Sequence, residues 1–315
     1  MIALTANGMQ LSPDSHAYMN AAADVRGAGW FADSYTWWPP LYPLTLAPFS
    51  DPVSAARWLN AACYALTVTL TLHALRTRLH GAGMAILWVA LMLAPPLQFV
   101  HRWVWSEPLF VTLCAAWFAV LLGGVNAWRR VILLGMIAAL LGLQRYVGIL
   151  FIPLGVGALL LYRVHWNRIT VYAVVAFVPL ALWMLRNISL GVPATGLDRG
   201  AAYNTLATGI YWSLLTLIAW LPVLTLACAV GWRYRVRVDA RFAIVCAYYA
   251  VGHTAFIIWG AASTSMDTPN DRLLSPVFVP LMFCAVAHGE WLSRRKSARI
   301  EASESGTGAE HPSPR

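Results

Sequence analysis

The sequence predicts an all-α, polytopic membrane helix bundle of about nine transmembrane helices, with a long first outer loop that carries short interfacial helices. Three observations predict it. Of the 315 residues, 59% are hydrophobic and only 11% are charged, against about 25% charged in an ordinary soluble domain. Mean hydropathy is +0.61. The apolar residues also fall in continuous runs, without the alternation that a membrane barrel would show. Together these exclude a soluble enzyme, a disordered chain and a secreted disulfide scaffold. The five cysteines (Cys63, Cys114, Cys228, Cys246, Cys284) sit singly in apolar runs with no CxxC spacing, a weak basis for metal or disulfide.

Crossing roughly 30 Å of hydrocarbon takes about 20 helical residues. The runs that qualify are 53–75, 82–98, 108–125, 131–144, 147–162, 169–186, 207–231, 242–262 and 273–292. The fourth and fifth are short and separated only by Arg145 and Tyr146, so one long kinked helix is the alternative to a hairpin. Parity decides for the hairpin. With nine spans and residues 1–52 outside, 15 of the 22 basic residues lie on inner loops and in the tail, whereas merging the two runs would send the Arg233–Arg241 cluster outside, against the positive-inside bias. Eight of the 13 acidic residues, including Asp33, Asp198 and Asp267, lie on the outer side. The net charge of +9 is then mostly a topology signal and gives no support to nucleic-acid binding.

This divides the chain into an outer loop with the chemistry (1–52), a transmembrane bundle (53–292) and a polar tail (293–315) rich in Ser, Gly, Glu and Pro, which composition predicts to be disordered. The N-terminus has neither a basic n-region nor a long apolar h-region, so no cleavable signal is read there. Arg outnumbers Lys 21 to 1, a composition that points to a GC-rich bacterial genome.

The outer loops hold the functional candidates. Asp14 stands in SPDSHAYMNAA (12–22), where its plain role is a helix N-cap. Trp37, Trp38 and Tyr42 belong to WWPPLYPL (37–44) and read equally as an interfacial aromatic belt. Glu107 in HRWVWSEPLF (101–110) begins a span, where a carboxylate favours a helix N-terminus. Arg145 in LQRYVG (143–148) is costly at membrane depth unless paired or hydrated, and snorkelling is its plain role. Asp198 and Arg199 lie in the fourth outer loop, and Asp267, Asp271 and Arg272 in the fifth.

Those segments, in that order and on that side, resemble the polytopic glycosyltransferases of the C superfamily. The likeness is to bacterial relatives of dolichyl-phosphate-mannose protein mannosyltransferases and lipid A aminoarabinose transferases, carried by SPDSHAYMNAA, WWPPLYPL, WSEPLF, QRYVG and DRLLSPVFVPL over about residues 10–292. The resemblance implies transfer of a sugar, of hexosyl or mannosyl type, from a polyprenyl-phosphate donor to an acceptor hydroxyl on glycan, lipid or protein. It places the protein in a bacterial inner membrane with the catalytic loop periplasmic. It implies Asp14 as the catalytic base, Glu107 as the acidic position of the second outer loop, and Arg145 and Arg272 as basic positions near the lipid phosphate. Arg102 could assist them, and Tyr18, Trp38 and Tyr42 would line the substrate. Where relatives often carry a second acid beside the catalytic Asp, this chain has Ser15. A divalent cation between Asp14 and Glu107 is compatible with the motif, but two carboxylates are a thin metal site, and no metal ligands are assigned. Relatives usually deliver the catalytic loop from a first span. Here Met1 lies only 13 residues before Asp14, which predicts that a first span is absent. Two readings stay open beside the transferase: a flippase or transporter for lipid-linked sugars, and an inactive truncated subunit.

Overall fold

A computed structural model describes residues 5–29, 36–196 and 200–306; Asp33, Asp198, Arg199 and residues 307–315 lie outside them. Among the described residues the regular structure is helical, with a single isolated bridge between Gln10 and Trp103. The helices are α1 (Pro13–Ala28), α2 (Leu41–Leu46), α3 (Pro52–Leu75), α4 (Gly81–Met92), α5 (Pro95–Val100), α6 (Glu107–Leu122), α7 (Trp128–Gln144), α8 (Phe151–Leu161), α9 (Trp166–Ser189), α10 (Leu206–Ala219), α11 (Leu221–Tyr234), α12 (Ala240–Ser263) and α13 (Asp271–Gly306). A 3-10 helix, Tyr146–Leu150, precedes α8. The first two helices are the expected short elements of the leading loop.

Each of the nine apolar runs is helical, but they are not alike. Four helices are long and apolar enough to cross a membrane on their own: α3, α9, α12 and the Asp271–Ser297 part of α13. Run 82–98 is divided between α4 and α5, because Pro95 and Pro96 cannot continue α4 and instead open α5. Run 207–231 is bent by 51° between α10 and α11, just before Pro222. Trp220 fills the bend, fully buried, and its indole N–H donates to Asp271 Oδ1 at 2.7 Å.

The hairpin at Arg145 is present. Gly135 of α7 packs on Tyr172 and Val175 of α9, and Gly142 on Leu180. The two helices therefore run parallel, and residues 145–165 must carry the chain back across the bundle. Arg145 itself is extended (φ −153°, ψ 139°) and ends α7. The 3-10 helix folds onto the last turn of α7 so closely that a Cβ on Gly148 would strike the backbone of Leu141 and Gly142. Small residues at such crossings are how helices approach where lipid removes the hydrophobic drive between them. Gly231 of α11 and Gly289 of α13 serve the same end, each against the other helix's backbone.

α13 continues to Gly306, so the helix runs on into the polar segment. Ser, Arg, Lys, Ala and Glu over 293–304 include good helix formers, and Arg294 pairs with Glu290 four residues earlier, a spacing that supports helix.

A small separate core, formed by Tyr18, Ala22, Tyr42, Leu46, Ala47, Ala56 and Val104, clamps α1 and α2 onto the end of the bundle. Two fastenings hold the 101–106 loop beside them. Gln10 N–H donates to Arg102 O (2.9 Å) and Val104 N–H to Gln10 O (3.1 Å). The Asn60 side chain of α3 donates to the carbonyls of His101 (3.1 Å) and Trp103 (2.8 Å). The start of α1 is thereby brought over the start of α6.

Candidate active site

Four charged side chains from four distant segments meet at that junction. Asp14 comes from the first turn of α1, Glu107 from the first turn of α6, Arg145 from the break after α7, and Arg272 from the first turn of α13. Arg272 lies between the two acids. Its Nε donates to Glu107 Oε1 at 2.6 Å and its Nη2 donates to Asp14 Oδ2. Its Nη1 stands 3.7 Å from Asp267 Oδ2. Arg145 Nη1 reaches the same Glu107 Oε1 at 2.5 Å. Glu107 is 1% exposed, the Arg272 side chain 10%, Arg145 20% and Asp14 29%. The array is thus anchored on a buried carboxylate and opens to solvent at Asp14.

Asp14 is not the helix cap. Ser12 takes that role: its hydroxyl accepts from Ser15 N–H, and the Ser15 hydroxyl accepts from Ser12 N–H, a reciprocal capping box. Ser15, which stands where relatives are expected to have a second acid, is fully buried and structural. Relieved of capping, the Asp14 carboxylate turns to Arg272.

Several participants were not singled out from sequence. Ser106 is a hub. Its hydroxyl is 3.0 Å from Tyr18 OH and accepts from Arg145 Nη1 at 3.0 Å, while its carbonyl accepts from Gln144 Nε2 at 2.8 Å. Trp105 lies under Arg272, with Cζ 4.3 Å from the ring centroid, a cation–π contact. The indole is fixed by donation to Ser12 Oγ (2.7 Å) and by stacking on Trp103 at 4.5 Å. Their position in WSEP, directly before Glu107, was the available signal.

The aromatic candidates divide. Tyr18 is buried within the array, and burial pushes its phenol up to about 12, so it remains a hydrogen-bonding group at any ordinary pH. Trp38 packs at 5.2 Å from Tyr18 and lines a cavity. Tyr42 is edge-on behind Tyr18 and fully buried, a support for the wall. Trp37 is half exposed. Arg102 stands apart: among the described residues no ion pair joins it to either acid, and its backbone carbonyl serves the Gln10 bridge.

The cavity at the array, about 350 Å³, is lined by Tyr18, Trp38, Gln144, Arg145, Val147 and Met266, among others. A second, apolar groove of about 510 Å³ lies between α8 and α12. Along α12 the groove takes residues 244–253 and the cavity 256–259. No side chain of Gly157 or Gly252 obstructs the groove, and a Cβ at either would meet nothing within 4 Å. For a divalent cation, the position between Asp14 and Glu107 is taken by the Arg272 guanidinium. Among the described residues no three His, Cys, Asp or Glu side chains are grouped to hold a metal.

No protein-family model and no curated protein matches the chain. Two solved structures share its fold, both of ArnT from Cupriavidus metallidurans. The apo structure superposes with a TM-score of 0.66 at 15% identity, over 91% of this chain and 57% of that one. The structure bound to undecaprenyl phosphate gives 0.68 at 15% identity, over 96% and 61%. The chain therefore spans about three-fifths of the length of ArnT.

Proposed function

We propose that this chain is a membrane glycosyltransferase that moves a sugar, of hexosyl type, from a polyprenyl-phosphate donor to an acceptor hydroxyl. The reaction would take place at the periplasmic face of a bacterial inner membrane. The observation that carries the reading is a cavity lined by Arg145, with an apolar groove on the neighbouring stretch of α12 and a partly exposed carboxylate, Asp14, on the far side of the arginines. A long prenyl chain is what such a groove suits, and the two guanidiniums suit a phosphate. The shared fold with ArnT, one structure of which holds undecaprenyl phosphate, supports the same class of donor. The excess of Arg on the loops at the opposite end supports the orientation.

In this reading Asp14 takes the proton of the acceptor hydroxyl as its oxygen bonds to the anomeric carbon. The bond from that carbon to the phosphate oxygen breaks, and the electron pair leaves with the lipid phosphate. Attack opposite the leaving group inverts the anomeric centre. Arg145 and Arg272 balance the growing phosphate charge in a site of low dielectric, where fixed cations are most effective. Glu107 does not touch substrate; it aims both arginines. Trp38 and Tyr18 offer a stacking wall for the sugar.

The test is reconstituted protein supplied with polyprenyl-phosphate sugars. Asp14→Asn should reduce transfer by roughly 10²–10⁴ fold, the usual worth of a general base, while the protein still binds the lipid donor. Undiminished transfer would refute the assignment of Asp14. Movement of intact donor across the vesicle without chemical turnover would instead identify a flippase.

A further inference from the structure

The end of the bundle opposite Asp14 carries a further pocket, with different chemistry. Gly231 and Gly289 bring α11 and α13 into backbone contact, and just beyond it α11 ends at Tyr234 while α13 continues. The pocket, about 310 Å³, is lined by Trp232, Arg233, Arg235, Ser293, Lys296 and Ser297. Three cations and two hydroxyls face it, and among the described residues no acid lines it.

The pocket is built rather than incidental. Arg235 caps α11 in the left-handed region (φ 49°, ψ 48°), a conformation that costs a non-glycine residue about 1 kcal/mol or more. There its Nη2 donates to Ser297 Oγ at 3.3 Å. Lys296 Nζ sits 5.7 Å from the Trp232 ring centroid. The surrounding surface is that of a membrane interface: Trp232, Tyr234, Trp291 and Leu292 all expose apolar area, as interfacial anchors do. A free anion would have no use for that apolar rim, whereas a headgroup with acyl chains attached would use both parts.

We propose that this pocket binds the phosphodiester headgroup of an anionic membrane lipid, with Arg233, Arg235 and Lys296 on the phosphate, Ser293 and Ser297 as hydrogen-bond partners, and the acyl chains along Trp232 and Trp291. Basic pockets between helices on the cytoplasmic side are suited to such lipids. By joining the end of α11 to α13, the lipid would brace the helix that presents Arg272 in its first turn.

The experiment is native mass spectrometry of the full chain released from nanodiscs of phosphatidylcholine containing phosphatidylglycerol. Wild type should retain one phosphatidylglycerol. Retention should weaken by roughly thirtyfold in Arg233→Gln/Lys296→Gln, the loss of two cations at a lipid surface. It should weaken similarly in Ser297→Trp, which fills the pocket and leaves every charge in place. Arg129→Gln/Arg163→Gln, which removes the same charge from other exposed positions, should retain the lipid. Excess inorganic phosphate should not displace it. Equal loss in the charge-matched control would mean bulk attraction only. Retention in either pocket variant, or complete displacement by inorganic phosphate, would also overturn the proposal.

Discussion

Glu107 is the residue whose loss the structure prices most clearly. Glu107→Gln keeps the size of the side chain and removes its charge. The single atom Oε1 now accepts from Arg272 Nε at 2.6 Å and from Arg145 Nη1 at 2.5 Å, and Glu107 is 1% exposed. After substitution the two guanidiniums remain in a site shielded from water, with only Asp14 and the distant Asp267 to balance them. Removing one partner from a buried ion pair costs about 3–5 kcal/mol. The lower end applies here, about 3 kcal/mol, because Arg145 is one-fifth exposed and Arg272 keeps Asp14. The assay is unfolding of the purified protein in mixed micelles with increasing dodecyl sulfate, followed by tryptophan fluorescence, for wild type, Glu107→Gln, Arg145→Gln and the double variant. If the pair is real, the double variant loses less than the sum of the singles, by about 1 kcal/mol or more. A Glu107→Gln cost under about 1 kcal/mol, with singles that add to within about 0.5 kcal/mol, would refute the buried array.

Other consequences can be checked with the same protein. Burial lowers the His101 imidazole from 6.5 to about 4, so the folded state takes up its proton later than the unfolded chain does. Stability is then full above pH 6.5 and falls as pH drops toward 4, by up to about 3 kcal/mol for one group; His101→Gln should flatten a pH series of melting temperatures over that window. Gly148→Ala should lower stability by about 3 kcal/mol, because its Cβ collides with the Leu141 backbone, and a wild-type melting curve would contradict the close fold-back of the 3-10 helix. Gly157→Leu enters open space in the α8–α12 groove and should raise the donor KM roughly tenfold with kcat and melting unchanged, the pattern of lost uniform binding. An unchanged KM would refute the groove as the seat of the proposed prenyl donor.

Much of the fold could be read from apolar run length, since lipid demands about the same length of every crossing. The break at Arg145 was legible for a related reason: a cation between two apolar runs must be paired or turned toward water, and here it is paired. The bends at Leu93–Ala94 and Trp220 were hidden, although Pro95, Pro96 and Pro222 mark them, because hydropathy alone does not distinguish a straight span from a bent one. The extension of α13 past residue 292 was not legible from hydropathy, because the Glu290–Arg294 pair that favours helix is a matter of spacing. In the site, charged residues announced themselves and neutral ones did not. Asp14, Glu107, Arg145 and Arg272 stand out in an 11% charged chain, whereas Ser106 and Gln144 look like any polar loop residue. Arg102 shows the limit for irregular loops. It lies five residues before Glu107, but where a loop side chain points depends on local backbone turns, here fixed by the Gln10 bridge and Asn60.

Under the proposed function, the division of labour between the two acids follows from their surroundings. A base must meet the acceptor hydroxyl, which arrives from solvent; of the two, only Asp14 is open to it, at 29% exposed against 1% for Glu107. Conversely, a group that fixes two arginines must not be displaced by water, and burial secures that for Glu107. Arg272 links the roles, since its planar fork spends Nε on Glu107 and Nη2 on Asp14 while Trp105 covers its face. A phosphate at the arginines would compete with Asp14 for the outer edge of that fork, yet it could not displace the buried Nε bond. The guanidinium could therefore shift its outer donors toward the phosphate and release the Asp14 oxygen while keeping its position. Lysine, a point charge without a fork, could not hold both acids in this way, which is the physical reason for an arginine at residue 272.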